Sequence, residues 1–360
     1  MAGNKNLNSA AKAKNDEFYT QKEDIENELK HYKNFFRDKI ILCNCDDPYE
    51  SYFFKYFAMR FRELGLKKLI ATNYVGSPVF QTELNFEGTP NEIPDFDDKK
   101  DAVKVEITEV PYDPQKGFGM PELQFLLTNT KNIMTKLNGD KKYYAGDFRS
   151  QECVECLKEA DIVVTNPPFS LFREYVKQLF EFDKKFLIIG NQNAITYKEI
   201  FPLIMQNKMW LGYGFRRDPI FKVPDYYEER ATRFWIDETG QKWRSFGNMC
   251  WYTNLDVRKR HDTIPLFMSY YDEPELYPKY DNYDAIEVSK TALIPQDYEG
   301  VMGVPITFLD KYCPEQFEIL DARDFALYEK QKNKNTYLIK DADGTINGKA
   351  KYARILIRRR

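Results

Sequence analysis

Asp161-Ile162-Val163-Val164-Thr165-Asn166-Pro167-Pro168-Phe169 is the segment that best indicates the fold class. Its run Ile162 to Val164 is short, apolar and β-branched, which is typical of a buried central strand. The two prolines end the strand because neither can donate a backbone hydrogen bond. Asn166 is therefore predicted at the carboxyl end of a strand, where open α/β sheets bind their ligands.

The chemistry available at this segment suits an amino group attached to an aromatic base. Such an amine is a poor nucleophile because its lone pair is delocalised into the ring. The side-chain carbonyl of Asn166 and the backbone carbonyl of Pro167 can each accept one of its N–H bonds, which holds the nitrogen closer to tetrahedral. Phe169, on a loop stiffened by Pro168, offers a face for stacking worth about 1–3 kcal/mol. Positioning and electrostatics can supply the catalysis without a metal or a covalent nucleophile.

The segment resembles motif IV of the S-adenosylmethionine-dependent amino-methyltransferases, which is Asn, Asp or Ser, then Pro-Pro, then Tyr, Phe or Trp. Asn-Pro-Pro also occurs in RNA guanine-N2 and protein glutamine methyltransferases. A plain strand followed by a proline turn is the alternative that involves no ligand. All three interpretations stay open on this segment alone.

Composition narrows the class of protein. The chain has 360 residues with 27 Phe and 25 Tyr, enough for one large or two modest domains with a sizeable core. No apolar run approaches the roughly 20 residues of a membrane span, and the Lys- and Asn-rich N-terminus lacks the apolar centre of a signal peptide. We expect a cytoplasmic protein with reduced, mostly buried thiols. Cys43 and Cys45 alternate on a predicted buried strand, and no second Cys pair completes a zinc set with Cys153 and Cys156, so no metal site is expected.

Charge is unevenly distributed, although the net charge is only −3. Residues 83–101 are acidic, whereas Arg258-Lys259-Arg260 and Arg358-Arg359-Arg360 are basic. Basic clusters suit contacts to DNA phosphates. A solvated face or tail is the alternative for each of them.

The predicted first strand, Lys39 to Cys45, runs into the acidic turn Asp46 to Ser51 and then an aromatic helix, Tyr52 to Leu64. Strand, turn and helix in this order form the first unit of a doubly wound sheet. Most methyltransferases carry a Gly-rich turn here and this chain does not, so Asp47-Pro48 must shape the loop. Residues 68–75 are predicted as the second strand.

The long connection from residue 76 to residue 140 is predicted to be an insertion, with a strand over Val103 to Val110 and a helix over Pro121 to Leu137. Asp147 and Phe148 follow it, in a segment that resembles motif III. In that motif the acid accepts the amino group of the cofactor's adenine and the aromatic packs on the ring. The alternative for Asp147 is an N-cap for a helix that begins near Ser150.

The excursion from residue 214 to residue 247 interleaves basic and aromatic side chains, which suits a loop that faces DNA. Arg216 and Arg217 are its candidate phosphate contacts, and Trp243 or Phe246 could supply a second face for a stacked base. A solvated hairpin is the alternative, because the acids of the excursion nearly balance its basic residues.

Several segments together resemble the EcoRI-type modification methylase family, which transfers a methyl group to adenine N6 in duplex DNA. They are Asp16–Gln21, Asp24–Leu29, Cys43–Pro48, Phe53–Phe57 and Leu64–Thr72. The resemblance covers most of the chain. Its motif order is that of the γ arrangement, in which Glu17-Phe18-Tyr19-Thr20 resembles motif X.

The resemblance implies an α/β, Rossmann-like S-adenosylmethionine-dependent methyltransferase core over residues 1–265 and a smaller C-terminal target-recognition region over residues 266–360. Asn166, Pro167, Pro168 and Phe169 would act on a flipped adenine. S-adenosylmethionine would lie near the strand ends, with Asn73 as the nearest candidate for its ribose. The implied cofactor residues are Tyr19, Thr20, Asn44, Asp46, Pro48, Asn73, Asp147 and Phe148. The implied DNA contacts are Arg216, Arg217, Trp243, Phe246, Arg258, Lys259 and Arg260.

The expected partner is duplex DNA, bound by a monomer. A cognate restriction endonuclease would act on the same DNA site without forming a stable complex with this protein. The sequence is equally compatible with a methylase that has no partner endonuclease. An RNA base methyltransferase is the alternative within the enzyme class, to be distinguished by activity on structured RNA. A non-catalytic DNA-binding module, supported by the missing Gly-rich turn, is the alternative outside it and would bind no S-adenosylmethionine.

Overall fold

The computed structural model describes residues 22–48, 51–74, 102–110, 126–127, 131–214, 220–222, 232–245, 249–340 and 343–360. These residues form two compact units. The first lies within residues 1–192 and 214–255, and the second lies within residues 193–213 and 256–360. Residues 193–213 therefore belong with the C-terminal part of the chain, whereas the sequence suggested a single boundary at residue 265. A role of the C-terminal part in target recognition stays a prediction.

The first unit is built on a mixed sheet with a parallel centre. In chain order the strands up to residue 253 are β1 (Ile40–Asn44), β2 (Lys68–Thr72), β3 (Val103–Ile107), β4 (Ile133–Lys136), β5 (Ile162–Thr165), β6 (Lys185–Asn191), β7 (Trp210–Leu211), β8 (Ile220–Lys222), β9 (Phe234–Ile236), β10 (Lys242–Ser245) and β11 (Met249–Thr253). The main-sheet strands of the first unit follow the order β4-β3-β2-β1-β5-β6-β11. Strands β2, β1, β5 and β6 are parallel, and β3, β4 and β11 are antiparallel to their neighbours. The predicted Rossmann-like α/β fold is confirmed.

Helices lie in both units. In chain order they are α1 (Lys22–Leu29), α2 (Tyr52–Met59), α3 (Phe61–Leu64), α4 (Gln151–Glu159), α5 (Phe172–Glu181), α6 (Phe201–Met205) and α7 (Glu329–Lys332). The Ser51 hydroxyl caps α2 by accepting the N–H of Phe53 at 3.1 Å. The single helix predicted for Tyr52 to Leu64 is two helices, because the backbone at Arg60 leaves the helical region (φ −102°, ψ 14°).

The insertion extends the sheet at its edge through β3 and β4. The helix predicted for Pro121 to Leu137 is wrong for residues 131–137, which contain β4, while residues 121–125 and 128–130 lie outside the described residues. Pairing of β4 with β3 supplies the backbone partners of this segment. The amide oxygen of Asn132 accepts the N–H of Thr108 at 2.8 Å and so fixes the start of β4. Long-range pairing has therefore overridden local helix propensity.

The core of the first unit explains why the central strands are so apolar. Strands β1, β5 and β6 are buried over most of their length, as expected for parallel strands covered on both faces. Gly190 in β6 leaves room for two rings, since a Cβ there would stand 2.6 Å from Phe172 and 2.9 Å from Tyr252. All six cysteines are free; Cys45 is half-buried and the others are buried. The prediction that the thiols are mostly buried is confirmed.

The second unit has its own sheet. Its strands are β12 (Ile286–Glu287), β13 (Met302–Pro305), β14 (Phe317–Leu320), β15 (Thr345–Ile346), β16 (Lys349–Ala350) and β17 (Arg354–Arg359). The sheet order is β12-β13-β17-β14, and β17 is antiparallel to both of its neighbours. A buried ion pair joins Glu287 of β12 to Arg354 of β17 at 2.6 Å, and the Tyr280 hydroxyl also donates to Glu287. In the part of the chain that the structure describes, no helix is long and apolar enough to cross a membrane.

Candidate active site

The segment 166–169 lies at the carboxyl end of β5, between the parallel strands β1 and β6. Asn166 is 7% exposed, and Pro167 and Pro168 are buried. Phe169 is half-buried and begins a short 3-10 helix, after which α5 starts at Phe172. The predicted strand and proline turn of the motif are confirmed, and the loop presents an amide and an aromatic ring at the ligand-binding edge of the sheet.

The loop after β1 lies beside this motif because β1 and β5 are neighbours. Cys45 occupies the glycine-favoured region of backbone space with φ 73°, which gives the turn without the usual glycines. Asp46 and Asp47 follow and are both buried. The hydroxyl of Thr165, the residue before Asn166, lies within hydrogen-bond distance of the Asn44 carbonyl and of Asp46 Oδ2.

Asp46 is a buried carboxyl with a perturbed pKa. The Ser51 hydroxyl donates to Asp46 Oδ1 at 2.7 Å. Burial raises the pKa of Asp46 to about 7; its bonds from Thr165 and Ser51 oppose the rise, and the charge of Asp47 adds to it. A buried carboxyl with a pKa near neutrality at the edge of a parallel sheet is typical of a functional site.

Asn44 links the same loop to α5. The Tyr175 hydroxyl, on α5, donates to Asn44 Oδ1. Within the described part of the chain, no acceptor lies within hydrogen-bond distance of the buried Nδ2 of Asn44. A buried amide donor of this kind requires a partner, and a bound ligand is one. The position of Asn44 therefore fits its predicted role in cofactor binding.

Asn73 connects the ends of β1, β2 and β3. Its amide oxygen accepts the N–H of Val103 at 2.6 Å, and its Nδ2 donates to Asp47 Oδ2 at 3.4 Å. Asn73 thus orients the Asp47 carboxylate, which is 5% exposed. Asp47 is absent from the cofactor residues predicted from the sequence, although a second acid directly after Asp46 in a glycine-free turn is a signal that could have marked it as a candidate.

Asp147 lies in a turn that approaches the end of β2. Gly146 has φ 77°, and a Cβ on it would stand 1.8 Å from the carbonyl oxygen of Asn73, so only glycine fits. Arg149 binds Asp147 through two side-chain nitrogens, Nε to Oδ1 at 2.9 Å and Nη2 to Oδ2 at 2.7 Å, and through its backbone N–H. A carboxylate has about four acceptor positions, so one stays available beside these three donors among the residues that the structure describes.

The alternative role of Asp147 as an N-cap is wrong. Helix α4 is capped by Ser150, whose hydroxyl accepts the N–H of Cys153 at 3.4 Å. Phe148 is 3% exposed and packs edge-on against Tyr175 with ring centroids 4.9 Å apart. Phe148 therefore supports the α5 side of the site, and stacking of a ligand on its ring stays a prediction.

The predicted DNA contacts in the second unit differ in what they already bind. Arg258 is exposed at the start of a 3-10 helix, Arg258–His261. Lys259 Nζ instead donates to the carbonyl of Gly212 at 2.7 Å and to Asp310 at 2.5 Å. The guanidinium of Arg260 lies 4.0 Å from the centre of the Trp210 ring. Lys259 and Arg260 thus hold the second unit together, which leaves Arg258 as the exposed cation of the cluster.

The remaining predicted residues fall in or beside the excursion and at the N-terminus. Trp243 lies in β10 of a small antiparallel sheet with the order β8-β10-β9, and its Nε1 donates to Asp237 Oδ2 at 2.7 Å. This sheet is compatible with the hairpin that the sequence left as the alternative to a DNA-facing loop. Five predicted site residues lie outside the described residues, namely Tyr19, Thr20, Arg216, Arg217 and Phe246. Pro48, which is buried, ends the described part of the loop after β1.

A parallel sheet centre with Asn-Pro-Pro-Phe after β5 and buried acids after β1 defines a Rossmann-like amino-methyltransferase. The family described as "Adenine-specific methyltransferase EcoRI" matches residues 6–360. The chain belongs to this family, and it is an adenine-specific methyltransferase.

Curated relatives match along almost their whole length. Type II methyltransferase M.EcoRI of Escherichia coli is 48% identical over 358 residues, which cover 99% of this chain and 97% of the relative. Type II methyltransferase M.MgeORF184P of Mycoplasma genitalium is 34% identical over 98% of each chain. Type II methyltransferase M.MpnI of Mycoplasma pneumoniae is 35% identical, also over 98% of each chain. No solved structure matches the chain.

Proposed function

We propose that this protein is a site-specific DNA adenine-N6 methyltransferase of a restriction-modification system, and that S-adenosylmethionine is its methyl donor. The observation that carries the proposal is the position of Asn166 to Phe169 at the carboxyl end of β5, beside the buried acids after β1. The names of the relatives, Type II methyltransferases, support DNA as the substrate.

The residues around β1 and β2 fit S-adenosylmethionine. The donor carries amino and hydroxyl groups that need acceptors, and Asp46, Asp47 and Asp147 are buried acids at this edge. It also carries a carboxylate, for which the Asn44 Nδ2 amide is a suitable donor. Tyr19, Thr20, Pro48, Asn73 and Phe148 complete the proposed binding residues. When bound, the donor supplies a methyl group on a positively charged sulfur.

The residues after β5 would hold the methyl acceptor, which is an adenine base. One adenine leaves the duplex at a cost of a few kcal/mol and enters the pocket. The side-chain carbonyl of Asn166 and the backbone carbonyl of Pro167 accept the two N6 hydrogens, and the half-buried Phe169 stacks on the ring. The buried Pro168 restricts the loop, so the two carbonyls are oriented before the base arrives. The proton of the methylated nitrogen leaves to solvent.

The DNA itself would be bound by basic and aromatic side chains outside the methyl-transfer pocket. Arg258 is exposed and fits a phosphate contact. Arg216, Arg217, Trp243 and Phe246 are the further candidates from the excursion. The enzyme would act as a monomer, since the two strands of a palindromic site can be methylated in separate events, and a partner endonuclease would need no stable complex with it.

The first experiment is methyl transfer from labelled S-adenosylmethionine to unmethylated duplex DNA, followed by nucleoside analysis, with Asn166→Ala as the matched variant. We expect N6-methyladenine with the wild-type protein and none with the variant, while calorimetry shows that both bind the donor. Label in structured RNA alone would identify an RNA methyltransferase. A wild-type protein that binds DNA without any heat from S-adenosylmethionine would identify a DNA-binding module.

A further inference from the structure

The hydroxyl of Thr165 occupies a place between the two halves of the proposed site. Thr165 ends β5 and directly precedes Asn166, and its side chain is fully buried. Its Oγ1 lies within hydrogen-bond distance of two acceptors on the loop after β1, the backbone carbonyl of Asn44 and Oδ2 of Asp46. One side chain therefore joins the strand end that carries Asn166 to the loop that carries the buried acids.

A threonine hydroxyl has one proton and can donate it to only one acceptor at a time. If Thr165 donates to the Asn44 carbonyl, its contact with Asp46 is favourable only when the Asp46 carboxyl carries a proton and donates to Thr165. If Asp46 is ionised, the hydroxyl must turn toward the carboxylate and release the Asn44 carbonyl. The charge on Asp46 thus decides which group the Thr165 hydroxyl binds.

We propose that Thr165 is a positioning residue. Its hydroxyl couples the charge on Asp46, in the loop after β1, to the backbone from which Asn166 projects. The inference rests on the function proposed above. A methyl donor with a positively charged sulfur and an ammonium group favours ionised Asp46, because opposite charges attract more strongly in a buried site. Binding of S-adenosylmethionine would then turn the Thr165 hydroxyl toward Asp46 and fix the backbone at the end of β5 before the base enters.

Several groups around Asp46 act on its pKa, which is raised to about 7. Asp47 raises the pKa of Asp46 through its charge, and the Ser51 and Thr165 hydroxyls lower it. The Cys43 thiol and the Tyr175 phenol also face Asp46, but burial raises both of their pKa values well above the usual range, so they stay neutral. Cys45 faces Tyr175 from the same loop.

The test uses three variants of the full chain. Thr165→Val keeps the size and β-branching of the side chain but removes the proton, and Thr165→Ser keeps the hydroxyl. Thr253→Val is the matched control, because Thr253 is also fully buried at the end of a strand and its hydroxyl donates to a backbone carbonyl, that of Phe186, at 2.6 Å. The affinity for S-adenosylmethionine is measured by calorimetry from pH 6 to pH 9, together with kcat and KM on duplex DNA.

For Thr165→Val we expect the affinity for S-adenosylmethionine to fall on the order of tenfold at neutral pH, because a hydrogen bond to the charged Asp46 carboxylate is lost. The pH at which donor binding strengthens should also move upward, since the Thr165 bond lowers the pKa of Asp46. kcat should fall as well. Thr165→Ser should restore both the affinity and the pH profile, and Thr253→Val should keep the wild-type profile whatever it does to stability.

Coincident pH profiles for the wild type and Thr165→Val would overturn the coupling, as would an equal shift in Thr253→Val. The binding measurement does not depend on methyl transfer, so a wild-type protein that binds the donor without methylating DNA would refute the proposed substrate and still test Thr165. Absence of donor binding by the wild-type protein would overturn both proposals together.

Discussion

The backbone N–H of Gly214 donates to the side-chain carboxylate of Glu28 at 2.6 Å, although the two residues are 186 positions apart in the chain. Glu28 lies on α1 and is 1% exposed, and its other oxygen accepts the Tyr32 hydroxyl at 2.8 Å. Helix α1 follows the segment that resembles motif X, and Gly214 begins the excursion proposed to face DNA. A single buried carboxylate therefore fixes the start of the excursion to the N-terminal helix.

Replacement of Glu28 by Ala should lower the free energy of unfolding by about 3 kcal/mol, because the Gly214 N–H and the Tyr32 hydroxyl lose a buried acceptor. Glu28→Gln, which keeps one acceptor oxygen, should cost less. Urea unfolding measures both. Glu26→Gln is the control on the same helix, since its ion pair with Arg60 at 3.1 Å is partly exposed and should be worth at most about 1 kcal/mol. Equal losses in the Glu28 and Glu26 variants would contradict the role of burial.

Asp46→Asn should stabilise the donor-free protein at high pH. Burial raises the pKa of Asp46 from 3.8 to about 7, so the folded protein holds this proton more tightly than the unfolded chain. Below about pH 4 the Asp46 carboxyl is protonated in both the folded and the unfolded protein, so it does not lower the free energy of unfolding. As the pH rises from about 4 to about 7, the ionised carboxylate is favoured in the unfolded chain, and the free energy of unfolding falls by on the order of 4 kcal/mol. We expect Asp46→Asn to exceed the wild type in thermal stability at pH 8 and to approach it below about pH 4, while losing affinity for S-adenosylmethionine. A stability difference that does not change with pH would show that Asp46 is ionised throughout.

Gly146→Ala should destabilise the first unit by more than about 3 kcal/mol, because the new Cβ meets the Asn73 carbonyl and the backbone stays at positive φ. Gly240→Ala separates these two causes. Gly240 has φ 84° but, apart from its chain neighbours, no atom of the described residues lies within 4 Å of the added Cβ, so the variant should lose only about 1 kcal/mol. Denaturant unfolding of both variants checks the difference, and similar losses would mean that the turn before Asp147 relaxes.

Phe169→Ala should weaken methyl transfer through the loss of stacking on the flipped base, by about 1–3 kcal/mol in kcat/KM. Phe169→Trp offers a larger face and should keep most of the activity. S-adenosylmethionine affinity, measured in parallel, should change little in either variant, because Phe169 follows β5 and not β1. A loss of donor affinity equal to the loss of kcat/KM would place the ring against the donor instead.

Arg258→Ala and Lys259→Ala should separate a DNA contact from a structural one. Arg258 is exposed, and its loss should reduce the slope of log affinity against log salt by about 0.9. Lys259 binds Gly212 and Asp310, so its loss should lower the stability of the second unit and leave the salt slope unchanged. The two measurements are filter binding at several salt concentrations and thermal unfolding. A reduced salt slope for Lys259→Ala would show that Lys259 contacts DNA.

A structural feature could be predicted from the sequence when its cause lies in residues that are close together in the chain. Strand β5 and the loop Asn166 to Phe169 were predictable because a β-branched run and two prolines act through their own backbone. Strand β4 was not, since it exists through pairing with β3 after a connection of more than twenty residues.

The same distinction applies within the site. Asp46 was visible as an acid at a strand end, and Asp147 was visible through the resemblance of its segment to motif III. The contacts that define them, from Thr165 to Asp46 and from Asn73 to Asp47, join segments far apart in the chain. Lys259 and Arg260 were predicted as DNA contacts because a basic run shows its charge but not its partners, which came from Gly212, Asp310 and Trp210.

The position of β17 in the sheet of the second unit has a consequence for synthesis on the ribosome. Strand β17 lies between β13 and β14, so these two strands cannot join into one sheet until residues 354–359 have left the ribosome. The first unit already has its strand β11 once residue 253 has emerged. A nascent chain stalled before Arg354 should therefore hold a protease-resistant first unit beside a protease-sensitive C-terminal part, and the second unit should gain its resistance only when β17 is released.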